Sequence, residues 1–384
     1  MRLPFGSDPA LRASYVNFRG QLRIGKLLEE LDAFAGNVAY LHCDDNDENT
    51  APPVLVTVST DRVDLLTYPL MSDQDMELKG MVTYTGSSSI NIDVDLSTVP
   101  TEHDPVRKPI MMASLTFVAR DFHNQALRVP KLNPTTALEK RMWEAGRRAQ
   151  ASRRAARESS VVLTPPGPLE LGKLHTLLTN PPPVRHRLPS GKMVLEDGKT
   201  AVYVSDTGIQ SHVITMPQDR NLHGKTFGGN LMRNAFETAW SCAWLATGSL
   251  PKFLALDDIT FLRPVEVGTL LRFDARLVYA PGAPSHTFSV SVKALCCTPG
   301  AGPEQSRETV TNTFHFTFYC DDADAIPLVI PQTYEEAMAY VEASRRNAAG
   351  KALAEERKAA GALSVRFPET LPRRPTAPLS TTRE

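Results

Sequence analysis

The chain has 384 residues, enough for two or three domains. It is 42% hydrophobic and 22% charged, an ordinary globular composition, and its formal net charge of -1 removes any global electrostatic case for nucleic acid or an anionic membrane as a partner. No run of about 18 apolar residues appears, so no membrane-spanning helix is expected.

Residues 1–20 read as a lead-in. Over residues 21–40 a helix is predicted, because Leu22, Ile24, Leu27, Leu28, Leu31, Phe34 and Ala35 follow the 3.6-residue period. The acidic run from Asp44 to Thr50 closes it as a loop. Strands are expected at 54–59, 76–84, 89–96 and 110–119, where β-branched or alternating residues cluster, with Gly86-Ser-Ser-Ser as a hairpin turn. Residues 131–190 break the pattern. A basic, Ala-rich stretch, 140–157, reads as a solvated helix, whereas Pro165-Pro-Gly-Pro and Pro181-Pro-Pro read as extended linker. Further strands are expected at 201–205, 211–216, 253–262, 270–279, 286–294 and 309–319. After Tyr340 an Ala, Glu, Lys and Arg-rich tail reads as a helix fraying into disorder.

The second half repeats the first. Thr60-Asp-Arg-Val-Asp-Leu-Leu66 parallels Leu256-Asp-Asp-Ile-Thr-Phe-Leu262, and Met81-Val-Thr-Tyr84 parallels Arg276-Leu-Val-Tyr279. The expected division is a first unit at 1–130, a linker at 131–190, a second unit at 191–330 and a tail at 331–384. Each unit is a helix wrapped by an antiparallel sheet, an α+β arrangement in two copies. Five cysteines, with Cys296 and Cys297 adjacent and no C-x-x-C pair, support neither a disulfide framework nor a zinc site. The stretch Met1 to Pro9 has no apolar signal region and is not an Arg-rich amphipathic presequence, so secretion is not expected.

The most informative stretch is Asn221-Leu-His-Gly-Lys-Thr-Phe-Gly-Gly-Asn-Leu-Met-Arg-Asn-Ala-Phe-Glu. A polar loop leads to the pair Gly228-Gly229 and then to a helix that is apolar over a broad face. Glycines before a helix let a ligand approach the backbone, where the free N–H groups of the first turn can hold an oxyanion or phosphate. Together with Asp257-Asp-Ile-Thr-Phe-Leu-Arg-Pro-Val-Glu-Val-Gly268, Pro217-Gln-Asp-Arg-Asn221, Phe314-His-Phe-Thr-Phe318 and Pro331-Gln-Thr-Tyr334, this stretch resembles the acyl-CoA thioesterases of the hotdog fold. The resemblance is to the mitochondrial acyl-CoA thioesterase 9 type, which carries two hotdog units in one chain, and it runs from Leu3 to about Tyr340.

The resemblance implies a tandem double hotdog, hydrolysis of fatty acyl-CoA, no metal or cofactor, a homo-oligomer (dimer or trimer of such protomers), and a mitochondrial location with the cytosol as the alternative. By likeness to the brain-type acyl-CoA hydrolases it also implies a composite site. Asp32 falls on the catalytic aspartate, Asn221 on the loop asparagine from the other half, and Gly25 on the second glycine of the pair, whose N–H would hold the thioester oxygen. A second, pseudo-symmetric site would use Asn17, Glu237 and Gly229, with Phe236 standing where the first has Asp32 and blocking or reshaping it. Gly228, Arg23, Lys225, Arg233 and Arg263 are candidates for binding the coenzyme, and Leu28, Leu31, Met232, Ala235 and Phe236 for the acyl chain. A non-catalytic acyl-CoA-binding scaffold is the competing class. The hydratase-like pattern Asp219-Arg-Asn221-Leu-His223 offers a third reading, weakened because the histidine comes one residue early.

Overall fold

The computed structural model describes residues 1–359 apart from 103, 122, 124, 159, 162, 222–223, 299 and 301–306. Its first half contains β1 (Arg2–Leu3), α1 (Pro9–Tyr15), the long helix α2 (Ile24–Cys43), and strands β2 (Val54–Leu65), β3 (Met76–Thr85), β4 (Ser89–Thr98) and β5 (Pro109–Arg120). Between the halves lie α3 (Ala137–Glu158), α4 (Pro168–Thr179), and strands β6 (Val184–Arg187), β7 (Met193–Leu195) and β8 (Thr200–Tyr203). The second half has β9 (Ile209–Ile214), α5 (Gly228–Thr247), β10 (Lys252–Thr260), β11 (Leu270–Tyr279), β12 (Thr287–Thr298) and β13 (Arg307–Tyr319), followed by β14 (Leu328–Ile330) and α6 (Tyr334–Ala359).

The two halves share one ten-stranded sheet in the order β1-β3-β4-β5-β2-β10-β13-β12-β11-β9. The order is palindromic: β1, β3, β4, β5 and β2 of one half match β9, β11, β12, β13 and β10 of the other. The junction is the antiparallel pair β2–β10, with Val63 opposite Leu256 and Thr60 opposite Ile259. Irregularities also repeat. The β2–β5 register slips between Thr57 and Ser59, and the β10–β13 register slips between Phe253 and Ala255. The β3–β4 slip at Val82/Tyr84 has its counterpart at Leu277/Tyr279. A bulge adds one residue to one strand and sharpens its twist, so paired bulges bend both half-sheets at the same place.

Helices α2 and α5 pack against each other and against the sheet. On α2 the buried side is Gly25, Leu27, Leu28, Leu31, Asp32, Ala35 and Ala39; on α5 it includes Gly229, Leu231, Met232, Ala235, Phe236 and Ala239. These are positions at i, i+3, i+4 and i+7, the side that the 3.6-residue period turns inward. Close approach of the two helices depends on glycine at Gly229: a Cβ there would lie 2.9 Å from Glu29 Cα and 3.0 Å from the Glu29 carbonyl oxygen. At the strand junction Arg62 of β2 reaches across to Asp257 of β10, while its Nε donates to Asp64 Oδ1 at 2.6 Å.

The helix expected over residues 21–40 starts at Ile24, and residues 1–20 are more structured than a lead-in: β1 pairs with β3, and Asp8 caps α1 by accepting from the Leu11 N–H at 2.9 Å. The stretch read as linker holds two helices and, near its end, β6, which joins a four-stranded sheet in the order β14-β8-β7-β6. The prolines at 165–168 do not exclude a helix, because Pro168 occupies the first turn of α4, where no N–H is needed. Gly146 lets α3 lie close to β3, since a Cβ there would be 2.9 Å from the Thr83 carbonyl. Arg345 of α6 grips Glu170 of α4 through two bonds of 2.7 Å. The expectation of a frayed tail concerns residues 360–384, which lie outside the described residues; before them α6 packs on β11 and β12 and buries Tyr340 and Val341.

Candidate active site

Two loops with the same bonding lead into the two long helices. In the first, the Asn17 N–H donates to the Gln21 carbonyl at 2.7 Å, and Asn17 Oδ1 accepts from the Gln21 N–H at 3.1 Å. In the second, the Asn221 N–H donates to the Lys225 carbonyl at 2.7 Å, and Asn221 Oδ1 accepts from the Lys225 N–H at 3.1 Å. Each turn closes on a glycine with positive φ, Gly20 at 72° and Gly224 at 75°, a conformation that glycine adopts at no steric cost. Both asparagines therefore shape a loop through their side-chain oxygens. Equivalent residues are 204 positions apart from these loops through the helices, so Gly25 matches Gly229 and Asp32 matches Phe236.

Asp32 is fully buried on α2. Its Oδ1 accepts from the Thr57 hydroxyl of β2 at 3.1 Å. Its Oδ2 points to the first turn of α5, where a Cβ on Gly228 would come within 3.0 Å of it. Among the described residues Oδ2 has no hydrogen-bond partner, so a buried carboxylate oxygen faces Gly228 and, beside it, the Phe261 ring. Burial pushes the Asp32 pKa up to about 6; the Thr57 hydroxyl pulls it down, and the Gly229 N–H does so further, at a geometry looser than a full hydrogen bond. The site thus combines a carboxyl whose pKa burial raises to about 6 with the N-terminal amides of a 20-residue helix whose Phe227 N-cap position supplies no side-chain cap.

Gly25 belongs elsewhere. It lies seven residues before Asp32 on the same helix, about 10 Å along its axis. A Cβ on Gly25 would meet Arg233 Cγ at 3.0 Å and Phe236 Cδ1 at 3.5 Å, so its neighbours are on α5. The amide set beside Asp32 is that of Gly228 and Gly229. The expected grouping is corrected accordingly: in antiparallel helices the start of each meets the middle of the other, and Gly229 changes places with Gly25.

Gly25 instead lines a cavity of about 210 Å³ with Asn17, Arg23, Phe236 and Glu237. The carboxylate of Glu237 is engaged by Arg23. Phe236 stands at the Asp32 position, and by the matched bulges Phe253 stands at the Thr57 position. Their rings meet edge to face at 5.5 Å and 88°. One half therefore carries an Asp–Thr hydrogen bond and the other an aromatic pair at the same location.

The cation candidates are scattered. Arg233 Nη1 binds Glu29 Oε2 at 3.0 Å between the helices, Lys225 pairs with Glu266 at the surface, and Arg263 is exposed. The acyl-chain candidates Leu28, Leu31, Met232, Ala235 and Phe236 are all buried. His223, on which the hydratase-like reading rests, lies outside the described residues. Thr57 is the residue that sequence reasoning passed over. Its only signal was a hydroxyl inside the apolar run Val54-Leu-Val-Thr-Val58, a pattern that a β-strand also tolerates without function.

Residues 223–294 match the Thioesterase superfamily. Over 345 residues the chain is 32% identical to the mouse protein named acyl-coenzyme A thioesterase 9, mitochondrial, covering 89% of this chain and 75% of that one. It is 34% identical over 351 residues to acyl-coenzyme A thioesterase 2, chloroplastic, from Humulus lupulus, covering 88% of this chain and 77% of the relative. An acyl-CoA hydrolase from Staphylococcus aureus, solved with butyryl coenzyme A and coenzyme A, is similar at 25% identity and a TM-score of 0.36, covering 41% of this chain and 94% of that one. The fold is a tandem double hotdog of the thioesterase superfamily. Over nearly its whole length the chain belongs to the acyl-coenzyme A thioesterase family.

Proposed function

We propose that the protein hydrolyses fatty acyl-CoA to a free fatty acid and coenzyme A at the composite site formed by Asp32 and Thr57 of the first half and by Gly228, Gly229 and the Asn221 loop of the second. The observation that carries this reading is the buried Asp32 carboxyl set against the glycine-lined start of α5. In its ionised form Asp32 takes a proton from water as the water oxygen bonds to the thioester carbon; direct attack through an anhydride uses the same atom. The electron pair of the C=O bond moves to oxygen, and the first-turn N–H groups of α5 hold that charge. Collapse breaks the C–S bond, and the coenzyme thiolate leaves with the proton. Thr57 positions the carboxylate and favours its charge. Asn221 holds the loop that delivers the Gly228-Gly229 turn.

The mitochondrial relatives support a mitochondrial location, with the cytosol as the alternative, and the open edges at β1 and β9 support a homo-oligomer of double-hotdog protomers. The proposed division into two hotdog units places the boundary stretch within residues 131–190. The decisive experiment is release of free coenzyme A from acyl-CoAs of increasing length by wild type and Asp32→Asn. Near-wild-type turnover in a folded Asp32→Asn variant would remove Asp32 from the mechanism, and binding of acyl-CoA without any turnover in wild type would make the protein a carrier.

A further inference from the structure

We propose that the cavity at the start of α2 is a second, non-hydrolytic binding site for a fatty acyl chain. Its interior is hydrocarbon and aromatic: Leu22, Leu70, Phe236, Trp240, Leu250 and Phe253. The symmetry of the fold explains why the space exists. The Asn17 loop keeps the bonds of the Asn221 loop, and Gly25 keeps the close approach of Gly229, so the walls of a substrate site remain. At the two positions where the first site holds Asp32 and Thr57, this one holds Phe236 and Phe253. Among the described residues that line it, the one carboxylate is Glu237, and it is paired with Arg23.

An apolar cavity with a few polar groups at its opening suits a ligand with an apolar tail and a polar head. Phe18, 73% exposed, stacks on Trp244 at 6.4 Å and meets Trp240 edge-on, so an aromatic surface extends from the cavity to solvent. The Arg23 guanidinium beside it has further N–H donors, so it can take an acidic head group while it stays paired with Glu237. The head is either the carboxylate of a free fatty acid or the phosphate-bearing coenzyme of an acyl-CoA, and both share the chain that the interior recognises.

The test is titration calorimetry on the full chain with two probes, a saturated long-chain fatty acid and a non-hydrolysable S-alkyl coenzyme A thioether. We expect saturation at about two equivalents of at least one probe per chain, against about one if only the Asp32 site binds. Leu250→Trp, which fills the cavity, should abolish the second equivalent while leaving the rate of coenzyme A release unchanged. Phe18→Ser, at an exposed position that cannot disturb the core, should weaken that equivalent by about tenfold. A second equivalent filled by the fatty acid identifies the carboxylate as the head; one filled only by the thioether identifies the coenzyme. A single equivalent of both probes in wild type, or a second equivalent that survives both substitutions, would overturn the proposal. It is separable from hydrolysis at Asp32: two bound equivalents with no turnover would refute the activity and leave this site standing.

Discussion

Asp32 and Phe236 occupy the same step of two paired helices, each seven residues after a glycine that touches the other helix, yet one is a buried carboxylic acid and the other an aromatic ring. The different chemistry proposed for the two halves follows from that asymmetry.

Replacing Asp32 by Asn keeps the shape and removes the charge. The rate of coenzyme A release should fall by about 10²–10⁴, the usual contribution of a positioned base. Stability should move the other way. The Asp32 pKa is raised from 3.8 to about 6, so the folded state binds the proton more tightly than the unfolded state does. Stability is greatest below the unfolded value and declines as pH rises through about 6. Ionisation above that costs up to about 3 kcal/mol, which Asn avoids. Urea unfolding at pH 8 should show Asp32→Asn more stable than wild type, and at pH 3 the difference should vanish.

The pH profile of kcat/KM should rise with an apparent pKa near 6 as Asp32 ionises. Thr57→Val removes the stronger of the two interactions that hold this pKa down, so its rising limb should move to higher pH and its plateau should drop by about tenfold. A profile unmoved by Thr57→Val would show that the hydroxyl does not act through the carboxyl.

Gly229→Ala should be damaging for a steric reason. The new methyl would stand 2.6 Å from the Phe227 ring and 2.9 Å from Glu29 Cα, and backbone cannot swing aside as a side chain can. We expect a loss of about 1–3 kcal/mol together with most of the activity. Gly172→Ala, inside α4 with open space around it, is the control and should stabilise the chain by about 0.5–1 kcal/mol.

Arg62→Met should loosen the joint between halves. Asp64 and Asp257, 7% and 8% exposed, would lose the guanidinium that serves both. Removing one member of a largely buried charged group costs about 3–5 kcal/mol. With Trp143, which packs on Tyr84 of β3, replaced by Phe, unfolding monitored by the fluorescence of Trp240 and Trp244 on α5 should separate from unfolding monitored by circular dichroism if the joint is what couples the halves.

The sequence disclosed the long helices and the strands because their periods are written in side chains: Leu27, Leu28 and Leu31 on α2, and Phe314, Phe316 and Phe318 on β13. Asp32 stood out as a carboxyl among apolar neighbours, and Phe236 as its mismatch in the repeat. The partnership of the glycines was not legible. Spacing along one helix put Gly25 and Asp32 on one face, but only the antiparallel packing of α2 on α5 decides which amide meets which carboxyl. Thr57 stayed hidden because a threonine in a β-branched strand carries no signal of its own, and α4 because its opening prolines suggested an extended chain.

The seam between β2 and β10 has a practical consequence. In the mechanism proposed above, Asp32 lies on one side of it and the Gly228-Gly229 turn on the other, so neither half would own a complete catalytic apparatus. A gene cut within the stretch encoding residues 131–190 would yield two pieces that are each silent and that regain turnover only by rejoining along that seam. Coenzyme A release would then report directly on molecular reunion.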